Sequence, residues 1–118
     1  MGAGYQLDIR ELAELYDDQS EDVYLSLYID LSDKGHEAFI RRRSRAICAA
    51  LSDREQIKNF ERGVESALTS IHSLEAKGRA AAAFLHIEED FLRVGILGAR
   101  VDTTMVLDAS PYILPLAR

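Results

Sequence analysis

The densest charge in the chain is RRRSR, residues 41–45. Four guanidinium groups in five positions could hold nucleic-acid phosphates, because the arginine fork matches phosphate geometry. On a helical wheel with Ile40 at the centre of a buried stripe, Arg41, Arg42 and Arg45 face solvent. They are the candidate RNA contacts, against the plainer reading of a solvated helix face in an acidic protein. Arg43 falls on the flank of the stripe. An arginine that close to a core needs a carboxylate, since an unpaired buried charge is costly. Asp30 is its expected partner, in a structural ion pair.

The other reactive side chains form no recognisable catalytic set. Glu88, Glu89 and Asp90 fall in a short link between two strands, where solvated charge is ordinary. His36, His72 and His86 are far apart in sequence, and with a single Cys48 they lack the spacing of a zinc site. They read as surface or internally satisfied histidines. No Gly-rich phosphate loop and no nucleophile elbow is present. The expectation is a non-catalytic domain with no metal and no cofactor, and a small hydrolase is the weakest alternative.

Composition sets the class. The chain has 118 residues, 47% of them hydrophobic and 29% charged, with a net charge of −6. That length suits one domain with one core and no staple. One cysteine permits no internal disulfide, which fits a cytoplasmic setting. No apolar run is as long as a membrane span. A net negative charge restricts any nucleic-acid contact to a local patch.

The elements that must position these residues follow from periodicity. LDIRELAELY predicts a short helix with Ile9, Leu12, Ala13 and Tyr16 on one face, opened by an Asp8–Glu11 cap pair. VYLSLYID alternates with apolar or aromatic residues on both sides, as an inner strand does. A helix is expected over residues 36–51, its stripe Ile40, Ile47 and Leu51 flanked by Phe39, Ala46 and Ala50. Ser52 and Glu55 have capping-box spacing, so a second helix starts there. Ile57, Phe60, Val64, Ala67, Ile71 and Leu74 give it the best stripe in the chain, ending near Gly78. That stripe suits packing on the domain's own sheet better than a coiled-coil seam. RAAAAFLHI, FLRVGILG and TTMVLDA then read as three strands on short links, an antiparallel meander. The two intervening helices suggest a crossover from the first strand. The fold class is α/β (α+β), in the order α-β-α-α-β-β-β, with a mixed sheet of about four strands.

Two stretches carry a resemblance. IRELAELYDDQSEDVYLSLYIDLS resembles the opening of proteins related to the archaeo-eukaryotic peptide-chain release factors, in particular their bacterial and archaeal offshoots of poorly defined function. LDASPYILPLA is similar to the segment that closes the N-terminal domain of those proteins, and AAAFLHI stands where a "glaiF"-like strand precedes it. The resemblance implies that residues 1–118 are an N-terminal domain. It also implies that residues 110–118 begin a linker to a second, RNase H-like domain, absent here. Tyr112, Ile113, Leu114 and Leu116 would then lack cover and form an interaction surface. Stop-codon reading is not implied. QIKNF at 56–60 keeps only Ile57 and Lys58 of the family's Asn-Ile-Lys-Ser motif and lies inside a helix. The Tyr-x-Cys-x-x-x-Phe motif and the Gly-Gly-Gln tripeptide are missing. The expected role is a module associated with the ribosome or its RNA. The alternative is a protein-contact or oligomerisation domain whose partners are following domains or a second copy of the chain.

Overall fold

A computed structural model describes residues 7–19, 21–74 and 80–117. At its centre every residue from Val23 to Ile29 is buried. The strand β1 (Tyr24–Asp30) is therefore covered on both faces, as its alternation predicts. It has a neighbour on each side. One is β2 (Ala80–His86), with Leu27 opposite Ala83. The other is β4 (Thr104–Asp108), with Leu27 opposite Met105. The strand β3 (Leu92–Leu97) pairs with the far side of β2, giving the order β3-β2-β1-β4.

All three pairings are antiparallel. The class is α+β and the sheet has four strands, but it is antiparallel throughout rather than mixed. The connection explains this. A single helix after β1 would return the chain to the start of that strand and produce a parallel neighbour. Two helices in succession cancel, and β2 begins beside the end of β1, with Ala80 opposite Asp30. The expected meander is also only half present. The strands β2 and β3 form a hairpin, whereas β4 crosses the sheet to the free side of β1.

The helices α2 (His36–Ala50) and α3 (Arg54–His72) cover one face. Phe60, Ala67 and Ile71 of α3 and Ile40 and Ile47 of α2 pack in one core with Leu25, Leu27, Ile29, Ala81, Ala83 and Leu85. The stripe of α3 thus lies on its own sheet. Close approach needs small residues on both sides. A Cβ at Gly63 would come within 3.0 Å of Leu85 Cδ1 and 3.2 Å of Ile87 Cγ2. The alanines of β2 favour helix in isolation, but pairing with β1 on one side and β3 on the other holds them in a strand.

Local details depart from the periodicity reading. The first helix, α1, spans only Ile9–Ala13. It buries Leu12, while Ile9 and Tyr16 stay exposed, Tyr16 because the helix has already ended. Asp8 caps it by accepting from the backbone of Arg10 and Glu11, but Glu11 turns away to fork with Arg93 at 3.0 and 2.8 Å. Asp53, not Ser52, is the N-cap of α3, accepting from Glu55 N at 3.1 Å. Aspartate caps as well as serine, so either register satisfies the first turn. Ala46 and Ala50 are exposed; Ser44, Cys48 and Leu51 flank the buried stripe of α2 instead. Gly78 lies outside the described residues.

The second face of the sheet holds a smaller core of Leu12, Tyr28, Ala82 and Phe84, and the C-terminal segment closes it. Tyr112, Ile113 and Leu116 pack there, and only Leu114 of the four predicted surface residues is exposed, at 58%. Tyr112, Ile113 and Leu116 thus find cover on this domain rather than lacking it. The reason is polar as well as apolar. Ser26 Oγ accepts from Tyr112 N at 2.8 Å, and Tyr28 Oη donates to the Tyr112 carbonyl. Burial, and then Tyr112 nearby, push the Tyr28 hydroxyl well above the ordinary phenol range, so it stays a donor. The Tyr28 ring also meets Phe84 and Tyr112 edge-on, at 5.6 and 6.1 Å between centroids.

Ser26→Ala and Tyr28→Phe should each lower the unfolding free energy by about 1–3 kcal/mol, because each leaves a half-buried backbone group of Tyr112 without its partner. The two losses should not add, since both act through Tyr112. Urea denaturation of the two single variants and the double variant measures this.

Candidate nucleic-acid interface

Positions on a helix advance by about 100° per residue. With Ile40 and Ile47 held against the sheet, Arg42 and Arg45 must point away from it, and both are exposed. Arg41 is also exposed but leans toward α3. It rims a groove of about 320 Å³ between the two helices, floored by Ile40, Val64 and Leu68. None of the three arginines makes a hydrogen bond or ion pair with another described residue. The structure thus brings the predicted trio to one side of α2 and leaves its guanidinium groups unengaged.

Arg43 behaves differently, though not as expected. Its Nε donates to the carbonyl of Met105 in β4 at 3.0 Å. Asp30 is occupied elsewhere: its carboxylate accepts from Ser32 Oγ at 2.6 Å and Ser32 N at 3.0 Å. Those two bonds stabilise the carboxylate and hold its pKa below the ordinary aspartate range. The predicted Arg43–Asp30 pair is therefore absent. Arg43 stays largely exposed, so its charge needs no carboxylate, and a carbonyl within reach satisfies one donor.

The remaining reactive groups resolve into supports. His86 is 4% exposed. Its Nδ1 accepts from the backbone of Glu88 and Glu89, both at 3.0 Å, which leaves Nε2–H to donate to Asp17 at 2.9 Å. The ring also meets Tyr24 edge-on. His86 thus ties the 88–90 link to the segment before β1. Glu88, Glu89 and Asp90 are exposed. Cys48 is half-buried; burial first, and Glu61 second, push its thiol up, away from the thiolate that nucleophilic chemistry needs.

One cluster was hidden from sequence reasoning. His36, Glu37 and His72 are brought together where α2 starts and α3 ends. The separation of 35 positions between Glu37 and His72 matches no ligand-spacing pattern. Only the antiparallel packing of α2 and α3 juxtaposes them.

Among the described residues no helix is long and apolar enough to cross a membrane. Comparison with models of known protein families finds no match, and comparison with curated proteins finds none.

Arg43→Leu should lower stability by about 1 kcal/mol through loss of the bond to Met105. Arg42→Ala and Arg45→Ala should stay within about 0.5 kcal/mol of the parent chain, as for surface side chains without partners. Chemical denaturation of the three variants separates the structural arginine from the free ones.

Proposed function

We propose that this chain is a non-catalytic RNA-docking module of a release-factor-like protein, with Arg41, Arg42 and Arg45 gripping phosphates of ribosomal RNA. One observation carries the reading: in a chain of net charge −6, three arginines are exposed on one side of α2 with no acidic partner among the described residues. Among the described residues Arg93 is the one arginine paired with a carboxylate, so lack of a partner alone does not mark a site. What sets Arg41, Arg42 and Arg45 apart is their clustering on one stretch of α2, which fixes their relative positions. The resemblance at the two ends of the chain supplies the translational setting, in the cytoplasm. No cofactor or metal enters this role.

A protein-contact role without RNA is favoured by a different observation. Leu114, at 58%, and Ile96, at 44%, are exposed large apolar residues. Under that reading the partners are following domains of the same polypeptide or a second copy of the chain.

The test is cosedimentation with ribosomes and equilibrium binding to ribosomal RNA over a salt series. Three phosphate contacts predict that the logarithm of the association constant falls with log salt at a slope of about −2 to −3. Arg41→Glu/Arg42→Glu/Arg45→Glu should abolish binding and leave the fold and any self-association intact. Salt-independent binding, or binding unchanged in the triple variant, would overturn the RNA reading. Loss of a protein contact on Leu114→Asp, with the triple variant silent, would establish the alternative.

A further inference from the structure

We propose that His36, Glu37 and His72 form a Zn²⁺ site that staples the start of α2 to the end of α3. One ligand atom from each residue lies within 4.8 Å of the others. Two imidazoles and a carboxylate are a donor set that zinc accepts, leaving a fourth position for water. Imidazole also selects zinc-class metals over Mg²⁺ and Ca²⁺, which prefer all-oxygen ligands.

Three features favour a site over a chance meeting. First, His36 Nδ1 lies 2.7 Å from the Asp33 carbonyl. Only a protonated Nδ1 makes that contact, so in the neutral ring the lone pair is on Nε2. A backbone carbonyl orienting the ring through its second nitrogen is the usual support of a metal-binding histidine. Second, Glu37 and His72 make no hydrogen bond or ion pair with another described residue. Their donor atoms are available. Third, both helices are anchored by the core, through Ile40 and Ile71, within one turn of the ligands. The metal would sit at the mouth of the groove between α2 and α3, which Glu37 and His72 line.

The other group of three, Asp17, His86 and Glu89, makes an internal comparison. There both imidazole nitrogens are already engaged, Nδ1 by two backbone N–H groups and Nε2 by Asp17. No lone pair is left for a metal.

Two effects oppose binding. The ligand atoms, which lie within 4.8 Å of one another, must settle at the spacing of about 3.4 Å that bonds of about 2.0–2.1 Å set around a tetrahedral ion. Exposed or half-exposed side chains can do this by small rotations. The start of α2 and Arg41 also carry positive charge, which disfavours a cation. The Glu37 carboxylate offsets it, and His72 stands at the negative end of α3.

The experiment uses tag-free chain, stripped with EDTA and titrated with ZnCl₂. One Zn²⁺ per chain is expected by calorimetry. At 100-fold excess over Kd, the melting temperature should rise by about 10 °C. MgCl₂ should have no effect, and EDTA should reverse the shift. His72→Ala and Glu37→Gln, both at exposed positions, should fold normally but lose the shift, whereas Glu89→Gln should keep it. Zinc binding that survives His72→Ala, or no stoichiometric binding below about 100 µM Zn²⁺ in the parent chain, would overturn the proposal. RNA binding by Arg41, Arg42 and Arg45 is read separately and does not depend on the outcome.

Discussion

Double-sided burial of β1 is the constraint on which the rest of the structure depends. A strand in the middle of a sheet with apolar or aromatic residues on both faces demands a cover for each. Leu25, Leu27 and Ile29 take the helices; Tyr28, with Ser26, takes the C-terminal segment. The two covers differ in kind. The helices supply bulk hydrophobic area, with Gly63 letting α3 come close to Leu85 and Ile87. The C-terminal segment is held by its backbone, both polar groups of Tyr112 being bonded to side chains of β1.

What the helices leave unused on their outer sides is where function can lie. Ile40 and Ile47 fix the rotation of α2, and this rotation alone decides which arginines are free. Arg43 is turned toward β4 and finds the Met105 carbonyl. Arg41, Arg42 and Arg45 are turned elsewhere and find no side-chain partner among the described residues. The same packing brings the two ends of the helical pair together and closes His36, Glu37 and His72 into one group.

Elements were legible wherever one face is buried and the period is clean. The alternation of β1 and the stripe of α3 report directly on what those residues touch. Strand order was not legible, because short links favour neighbours without compelling them, and β4 gains more by completing β1 than by extending β3. The solvent-facing arginines followed from the wheel, since only the buried stripe had to be known. The partner of Arg43 did not, because a backbone carbonyl has no residue type to announce it. His36 and His72 were read as scattered for a related reason: their meeting is a property of helix packing, not of spacing. The cover that Tyr112, Ile113 and Leu116 find is not legible, because Ser26 and Tyr28, on the opposite face of the strand from its aliphatic row, give no sign of what they hold.

The hold on Tyr112 has a consequence for how the chain acquires its structure. Ser26 and Tyr28 bond a residue 86 and 84 positions away, and β1 waits equally long for β4. Contacts of such separation are reached late, because the loop between them must be closed before they reward it. Within this sheet the first strand to be synthesised is thus the last to be finished. Until residues 104–112 arrive, β1 offers an open edge and an uncovered aromatic face, the kind of surface that neighbouring chains recruit during folding.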